Sequence, residues 1–384
     1  MKSCSLTTTD NLRVPLFIMR VTIFTAFNPT LNPYILLFKG ALENQGINVR
    51  FERNFNLNWL FTKGKSCDCV HLHWLNLFHT LSEKNNRPQF YVKLMKNRFV
   101  KVSLDLLTLI DFALAFLLTK LTGKIIVFTV HDLYDFGKKS FRRKLQTEIA
   151  RNIVFRFANS IHVHNHFTHK LVETRYNRKT GIFVIPHGNY IGYYPNRISR
   201  VEARHQLGLT HNAFVYLFLG LLRPYKGLED LFDAFIKLDY PEARLLVAGR
   251  VFGANNYKSK LRDLSRTDSR IKLLPEFVPD EDIQVYLNAC DFFVLPYKDI
   301  TTSGAAALAL SFGRPVIAPS IASFPEVVIP ESGVLYDTSQ PNALTSALQA
   351  AMTRSCSESR IFNYAHQFDW DKLGPKLADL YRNS

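Results

Sequence analysis

The chain has few of the features that mark secreted and membrane-spanning proteins. Its five cysteines, an odd number scattered over 384 residues, favour no disulfide framework. Asp10 and Arg13 interrupt the first segment, and the apolar run from Val14 to Met19 is too short for a signal peptide. No stretch of about 20 residues is free of charge, so we expect no spanning helix. The absences together predict a protein of the reducing cytoplasm.

The sequence also lacks an internal repeat of short, fixed period. Its hydrophobic fraction of 47% and charged fraction of 21% are those of a globular protein, and its length suits two domains. The first expected strand begins at Arg20, which makes Met19 an alternative start and residues 1–18 an unstructured leader.

Positive charge is concentrated in the first half of the chain. Residues 1–200 contain 29 Lys and Arg against 11 Asp and Glu, whereas residues 201–384 contain 19 against 21. A basic first half predicts an anionic partner, and both nucleic acid and an anionic membrane surface fit that description.

Continuously apolar segments alternate with segments of helical spacing, as in parallel sheets that helices cover on both faces. The first half predicts strands at Arg20–Thr25, Cys69–His73, Lys124–Val130, Ser160–His164 and Ile182–Ile185. The second half predicts six, at Phe214–Leu219, Ala243–Ala248, Arg270–Leu274, Asp291–Leu295, Pro315–Ala318 and Val334–Tyr336. The fold class is therefore α/β, with two doubly wound, Rossmann-like domains facing a central cleft.

The domain boundaries follow from composition. A linker rich in Tyr, Gly, Asn and Pro follows Pro186-His187-Gly188. We place the N-terminal domain at residues 1–188, the C-terminal domain at residues 189–365, and a last helix at residues 366–384. Ligands of open parallel sheets bind beyond the carboxyl ends of the strands, so the cleft is the expected site.

Two segments of the second half are suited to phosphate. Gly220 ends a strand and permits a tight turn, from which Arg223 and Lys226 project toward an anion. Further on, Thr302-Ser303-Gly304 opens an alanine-rich helix whose free N–H groups attract negative charge. A solvated basic turn and a plain helix cap are the simpler interpretations of each segment taken alone.

An ordered series of motifs extends from about Ile182 to Met352. It comprises Gly-Leu-Leu-Arg-Pro-Tyr-Lys-Gly, Leu-Leu-Val-Ala-Gly, Phe-Val-Pro-Asp-Glu-Asp-Ile, Asp-Phe-Phe-Val-Leu-Pro-Tyr, Ser-Gly and Gly-Arg-Pro-Val-Ile-Ala. In this order the motifs resemble the donor domain of GT-B glycosyltransferases. The likeness extends to bacterial polysaccharide-assembly enzymes such as GDP-mannose-dependent β-mannosyltransferases.

The resemblance implies a nucleotide diphosphate-sugar as substrate and no separate cofactor. It also implies that the last helix, at residues 366–384, crosses back to the first domain. Arg223 and Lys226 would bind the diphosphate, and the backbone at Phe277 and Val278 would face the base. The donor-binding residues that it implies are Gly220, Arg223, Lys226, Phe277, Val278, Thr302, Ser303, Gly304 and Glu326.

One departure from the family pattern affects the mechanism. Many retaining members have two glutamates eight residues apart, and alignment on Gly313 places these positions at Ile300 and Leu308. Neither side chain can accept a hydrogen bond. Recognition of the ribose must come from elsewhere, and we predict transfer with inversion.

Inverting transfer needs a general base for the acceptor hydroxyl, but no metal if cations and helix N–H groups neutralise the leaving diphosphate. Asp132 is our first choice of base and His131 the second, since both follow the strand at 124–130. Loop hydrogen bonding is the alternative role for either. The residues expected on the acceptor side are Asn32, Tyr34, His73 and His187.

The alternating run Cys67, Cys69, His71 and His73 suggests a zinc site at first sight. Residues two apart on a strand are separated by roughly 6.6 Å, so the outer pair would lie about 20 Å apart, beyond the reach of one ion. We predict a buried strand and no metal.

Two segments suit an anionic membrane. Val100–Thr119 is almost wholly apolar, and Lys138–Phe157 combines basic residues with an apolar line. The basic residues are Lys138, Lys139, Arg142, Arg143, Lys144, Arg151 and Arg156. A basic amphipathic helix can lie on an anionic leaflet, although ordinary core helices remain the alternative.

The leading hypothesis is transfer of a hexose from a GDP- or UDP-sugar to a lipid-linked or polysaccharide acceptor. The enzyme would be cytoplasmic and bound peripherally to the inner face of the plasma membrane. An epimerase or phosphorylase of the same fold is the second hypothesis. The third is a basic nucleic-acid-binding protein, which we disfavour because the aromatic residues lie mostly at core spacing.

Overall fold

The computed structural model describes residues 18–25, 28, 32–75, 78, 97–133, 141–253 and 256–382. They form two parallel six-stranded sheets, each covered by helices. The predicted α/β class, with two doubly wound sheets, is therefore confirmed.

The first sheet consists of β1 (Arg20–Phe24), β2 (Asn48–Glu52), β3 (Cys69–His73), β4 (Ile125–Thr129), β5 (Ser160–Val163) and β6 (Ile182–Val184). The strand order is β2-β1-β3-β4-β5-β6. Its helices are α1 (Pro33–Glu43), α2 (Leu57–Thr62), α3 (Arg98–Leu121), α4 (Phe141–Phe157) and α5 (His166–Tyr176). All five residues of the central strand β3 are buried, although two of them are histidines.

The second sheet consists of β7 (Phe214–Leu219), β8 (Ala243–Ala248), β9 (Ile271–Leu274), β10 (Phe292–Val294), β11 (Val316–Pro319) and β12 (Gly333–Tyr336). The strand order is β12-β11-β10-β7-β8-β9. The helices around it are α6 (Arg200–Gln206), α7 (Leu228–Ile236), α8 (Tyr257–Ser265), α9 (Ile283–Ala289), α10 (Gly304–Ser311), α11 (Phe324–Val327), α12 (Ala343–Thr353) and α13 (Glu358–Ala365).

The last helix, α14 (Trp370–Arg382), packs against α1 of the first sheet. The Tyr381 hydroxyl lies 2.7 Å from His71 Nδ1, and Trp370 Nε1 donates to the Asn189 carbonyl at 2.7 Å. A Cβ on Gly188 would lie 2.2 Å from the Trp370 ring. The chain crosses between the two sheets at Gly188 and Asn189 and again at the start of α14, and these two segments are therefore held side by side.

Helix α3 has different surroundings on its two sides. Its segment Phe99–Leu121, with mean hydropathy 2.0, is long and apolar enough to cross a membrane, which the sequence analysis did not expect. Yet the buried Asp105 pairs with Arg142 at 2.8 Å, and Asp111 accepts a hydrogen bond from Leu57 N at 3.1 Å. The polar side of α3 is thus attached to the N-terminal domain.

Helix α4 exposes fewer cations than its sequence suggested. Arg151 is 3% exposed and pairs with Glu148 at 2.6 Å, so it lies inside the domain. Arg142 is engaged by Asp105. Lys144 and Arg156 remain exposed, whereas Lys138 and Lys139 lie outside the described residues.

Candidate active site

A cavity of about 670 Å³ lies in the cleft at the carboxyl ends of β7 and β9. Its lining includes Gly220, Phe277, Val278, Gly304, Ala305 and Leu308. The structure therefore brings four of the predicted donor-side residues to one cavity, as expected from the carboxyl-end rule for parallel sheets.

Two glycines shape the wall of this cavity. Gly220 (φ +139°) and Gly249 (φ +138°) occupy conformations that favour glycine. A Cβ on Gly249 would lie 1.9 Å from the Gly220 carbonyl oxygen, so any larger residue would force the ends of β7 and β8 apart. Both glycines line the cavity, where neither presents a side chain.

Lys226 and Arg223 lie beside that wall on a short 3-10 turn. The Lys226 ammonium is 4.9 Å from the centre of the Tyr297 ring, and a Cβ on Gly220 would lie 3.6 Å from it. Burial, and then the charge of Arg223, lowers the pKa of Lys226 to about 7. The Arg223 guanidinium lies 5.1 Å from the Phe252 ring. A bound diphosphate would supply the negative charge that this desolvated pair favours.

Helix α10 begins at the opposite side of the cavity. Ser303 caps it, its Oγ accepting a hydrogen bond from Ala306 N at 3.1 Å. A Cβ on Gly304 would lie 3.3 Å from the Tyr190 hydroxyl and 3.5 Å from His187 Nε2, so a side chain there would fill the space beside the helix start. Leu308 lines the cavity and Ile300 is buried, so neither family glutamate position supplies a carboxylate.

Thr302 and Glu326 have contacts that the sequence analysis did not predict. Glu326 accepts hydrogen bonds from His166 N at 2.7 Å and from Phe167 N at 2.8 Å, the first amides of α5 in the other domain. Asn165 Nδ2 donates to the Thr302 hydroxyl at 3.2 Å and to the Thr301 carbonyl at 3.1 Å. In this structure both side chains bind the opposite domain, and the assignment of Glu326 and Thr302 to the donor stays a prediction.

The N-terminal wall of the cleft is a cluster of rings around Tyr34. The Tyr34 ring centre lies 5.2 Å from that of His131, 5.6 Å from His164 and 4.7 Å from His187. His187 also borders the start of α10. We call His73, His131, His164 and His187, together with Tyr34, the histidine cluster.

Burial disfavours the charged form of the histidines in this cluster. Burial lowers the pKa of His131 and His73 well below the usual value, and the neighbouring histidines lower it further. Burial lowers the pKa of His187 to about 4. His73 Nδ1 shares a 2.8 Å hydrogen bond with His131 Nε2. His73 itself is fully buried, so it supports His131 and does not face an acceptor.

Asp132 follows β4 at the exposed rim of the cleft. Burial raises the pKa of the Tyr225 hydroxyl and the charge of Asp132 raises it further, which places this carboxylate near the turn that holds Arg223 and Lys226. The next residue, Leu133, donates its N–H to the Thr301 hydroxyl at 3.4 Å. Asp132 is thus held at the junction of the two domains.

Asn32 marks the start of α1, as the sequence suggested. It occupies the N-cap position but its side chain makes no capping hydrogen bond, and only its carbonyl accepts, from Ile35 N at 3.1 Å. The following residue, Pro33, lines the cavity of about 670 Å³, which we call the donor cavity after the predicted donor-side residues in its lining. Asn32 therefore lies beside a residue of the cavity wall, and its side chain does not cap α1.

Several residues of the site were missed in the sequence. Trp74 stacks on His131, and Tyr193, Tyr194, Asp280 and Glu281 line the donor cavity. The tyrosine-rich composition of the linker was a usable signal for Tyr193 and Tyr194. The motif Pro-Asp-Glu-Asp after Val278 was another, since it follows the segment expected to face the base.

Metal ligands are not gathered anywhere in the part of the chain that the structure describes: it has no group of three His, Cys, Asp or Glu placed to hold an ion. Cys67 Sγ lies 2.8 Å from the Cys69 carbonyl oxygen, and both thiols are buried.

Comparison with known proteins extends these observations. Residues 213–354 match the family described as "Glycosyl transferases group 1". A GDP-mannose:glycolipid 4-beta-D-mannosyltransferase from Xanthomonas campestris pv. campestris is 28% identical over 269 residues, which cover 68% of this chain and 69% of the relative. A D-inositol 3-phosphate glycosyltransferase from Corynebacterium efficiens is 28% identical over 52% of this chain, which spans half of that relative.

Solved structures share the whole fold. Sucrose-phosphate synthase from Thermosynechococcus elongatus superposes with a TM-score of 0.71 at 17% identity, over 95% of this chain and 98% of that one. Anabaena HepE in complex with UDP superposes with a TM-score of 0.70 at 18% identity, over 96% and 100% of the two chains. Two facing parallel sheets, a cavity at the strand ends and these similarities show a glycosyltransferase with the GT-B fold, whose residues 213–354 match group 1.

Proposed function

We propose that the protein transfers a mannosyl residue from GDP-mannose to a lipid-linked saccharide, with inversion and without a metal ion. The observation that carries the proposal is the donor cavity, with the desolvated Lys226 beside its Gly220 wall and the start of α10 opposite. The name of the Xanthomonas relative supports GDP-mannose and a glycolipid as the substrates.

The diphosphate would lie between Lys226, Arg223 and the amide end of α10. As the bond between the anomeric carbon and the diphosphate oxygen breaks, negative charge develops on GDP. Two cations and aligned helix N–H groups can stabilise that charge in a site shielded from water. This arrangement removes the need for a divalent ion in the chemical step.

Guanine suits the acidic end of the cavity. Asp280 and Glu281 line it, next to the expected base position at Phe277 and Val278. The N1–H and exocyclic amino group of guanine are adjacent donors that a carboxylate can accept together, whereas uracil offers one N–H between two carbonyl oxygens. Asp280 is thus our candidate for selection of GDP over UDP.

Asp132 is the proposed general base. In a single displacement, the acceptor oxygen bonds to the anomeric carbon, its proton passes to the Asp132 carboxylate, and GDP leaves from the opposite face. A double displacement would need a nucleophile at the site, and the family positions Ile300 and Leu308 carry none. These two residues therefore support inversion.

The acceptor would be reached at a membrane surface. One stripe of α3 and one of α4 expose large apolar side chains: Leu106, Leu107, Ile110, Leu114, Leu117, Phe141, Leu145, Ile149 and Phe157. Exposed Lys144 and Arg156 accompany them. Because the polar side of α3 is attached to the domain through Asp105, the stripe suits an interfacial position and not a free span.

The deciding experiment incubates the protein with GDP-mannose and a lipid-linked oligosaccharide extract, and determines the anomeric configuration of the product by NMR. A β-linked product supports the proposal, and an α-linked product contradicts inversion. Thermal stabilisation by GDP but not by UDP would support the assignment of guanine, and equal stabilisation would contradict it.

Flotation tests the membrane surface separately. The wild type is expected to float with phosphatidylcholine vesicles that contain phosphatidylglycerol, and to lose binding as salt rises. The double variant Leu107→Ser, Leu114→Ser should bind less, while Leu221→Ser in the other domain is the matched control. Binding that is unaffected by salt and by both serines would contradict the proposal.

A further inference from the structure

The orientation of His131 is fixed by the rings around it. Trp74 stacks on His131 with ring centres 4.0 Å apart and 10° between the planes, and Tyr34 meets it edge-on at 5.2 Å. Trp74 has φ +52°, an uncommon conformation for a residue other than glycine, which persists where the surroundings require it. The imidazole is therefore held with Nε2 toward His73.

The shared bond between His131 Nε2 and His73 Nδ1, at 2.8 Å, has two arrangements. Burial keeps both rings neutral, because it lowers the pKa of each well below the usual value. A neutral imidazole carries one proton, on one of its two nitrogens. The proton of the shared bond therefore belongs either to His73 or to His131.

The second nitrogen of His73 distinguishes the two arrangements. His73 Nε2 is buried and has no partner among the described residues. If His131 supplied the shared proton, the proton of His73 would sit on Nε2 as a buried donor without an acceptor, which is rare in proteins. If His73 supplies it, Nε2 keeps only an unused lone pair. The second arrangement is the more favourable.

We infer that His73 holds His131 as the Nδ1–H tautomer, so that His131 donates a hydrogen bond to an oxygen of the bound sugar nucleotide and does not act as the base. His131 is half-buried and contacts Tyr34, whose neighbour Pro33 lines the donor cavity, and its Nδ1 has no hydrogen bond to any described residue. His73 is a positioning residue that acts through His131. The inference rests on the proposed function for the identity of the ligand, but not for the tautomer.

The groups that face His131 are consistent with an uncharged donor. They come from every element packed around it: Tyr34 of α1, His73 of β3 with Trp74 after it, His162 and His164 at the end of β5, and His187 of the linker. None of these carries a negative charge that would draw a second proton to the ring. Asp132, next in sequence, is the nearest carboxylate along the chain.

Nitrogen NMR tests the tautomer without any substrate. Long-range ¹H–¹⁵N spectra of the histidine-labelled protein report which ring nitrogen is protonated, and His131→Asn identifies the His131 signals. We expect a protonated Nδ1 and an unprotonated Nε2. The reverse pattern overturns the inference, whether or not the protein transfers mannose.

Substitutions of His131 test its role in turnover. The amide nitrogen of His131→Asn can replace Nδ1–H, so we expect it to keep turnover within about tenfold of the wild type. His131→Asp offers only an acceptor and should lose about a hundredfold or more. If His131→Asp instead keeps its turnover and His131→Asn loses it, His131 acts as a base. If His131→Asp also lowers GDP affinity to the same degree, His131 contacts the diphosphate. If GDP affinity is unchanged, His131 contacts the sugar.

Substitutions of His73 test the positioning role. His73→Asn can still donate to His131 Nε2 and should preserve the tautomer and the pH profile. His73→Asp can only accept, so it should draw the proton to His131 Nε2, raise the pKa of the ring and introduce a new acid limb in the pH–rate profile. The same tautomer and profile in both variants would contradict the role of His73.

Discussion

The two walls of the cleft both present nitrogen atoms, but in different charge states. The C-terminal wall offers the Arg223 guanidinium and the Lys226 ammonium, whose pKa burial lowers to about 7. The N-terminal wall offers imidazoles whose pKa burial holds well below the usual value, to about 4 for His187. One wall can neutralise an anion and the other can only exchange hydrogen bonds.

This difference separates the two tasks of transfer. A leaving diphosphate is stabilised by positive charge, whereas an acceptor hydroxyl needs a group that can take up its proton. The neutral histidine cluster keeps positive charge away from the acceptor side. Asp132 lies where the two walls meet, which is where a proton must leave the acceptor as charge develops on the donor.

The largest expected effect comes from removing the proposed base, Asp132, at this junction. Asp132→Asn keeps the size of the side chain but cannot take a proton, so turnover should fall by about 10²- to 10⁴-fold while donor affinity stays unchanged. Single-turnover kinetics and donor titration measure the two quantities. Asp379→Asn, an exposed position on α14, is the control. A fully active Asp132→Asn enzyme would remove Asp132 as the base.

Removing a cation from the donor wall should weaken donor binding. Arg223→Ala and Lys226→Ala should each reduce affinity for GDP-mannose by about 10- to 150-fold, the range expected for a hydrogen bond to a charged group. Calorimetric titration measures the change. Lys298→Ala removes an exposed lysine that pairs with Asp230 at 2.8 Å, and should have no comparable effect. Wild-type affinity in both wall variants would place the diphosphate elsewhere.

The charge of Lys226 should make donor binding depend on pH. Its pKa is about 7 in the free protein, and a bound diphosphate raises it, so binding above pH 7 takes up a proton. Affinity for GDP-mannose should be highest below pH 7 and fall by up to about tenfold per pH unit above it.

Calorimetry in buffers of different ionisation enthalpy measures this proton uptake directly. Lys226→Arg keeps its charge throughout the range, so its binding should be independent of pH and take up no proton. Uptake of a proton by the Arg variant, or none by the wild type at pH 8.5, would contradict the assignment to Lys226.

The sequence predicted the second sheet better than the first. All six strands of the second sheet were expected from continuous apolar runs, because helices cover both of its faces. In the first sheet β2 was missed. Its sequence, Asn48-Val-Arg-Phe-Glu52, alternates polar and apolar residues at the sheet edge, where exposure removes the apolar signal.

Within the site, local motifs were predictable and contacts between domains were not. Gly220 and Gly304 were predicted from a strand end and a helix start, and Phe277 and Val278 from the ordered motifs that carry the family resemblance. The bond between Glu326 and His166 N joins positions 160 residues apart, and no local pattern encodes it. For the same reason the sequence suggested His131 but not the Trp74 ring that stacks on it.

The smallest expected effect concerns the contact that joins the two walls. Glu326 accepts hydrogen bonds from the first amides of α5, His166 N and Phe167 N, at a helix N-terminus where a carboxylate is favoured. In Glu326→Gln an NH2 group replaces one of the two carboxylate oxygens and faces a backbone N–H that it cannot accept from. The loss should be about 1 kcal/mol, typical for a helix cap, with a fall of a few-fold in kcat/KM and a larger radius of gyration in X-ray scattering.

The control for this substitution is Glu331→Gln, an exposed glutamate in the same domain that makes no contact with the other domain among the described residues. Saturating GDP-mannose should restore the radius of gyration of Glu326→Gln, because a ligand held by both walls favours the closed arrangement by mass action. If Glu326→Gln instead lowers GDP affinity as much as Lys226→Ala does, while scattering shows no change of shape, then Glu326 contacts the donor and does not join the domains.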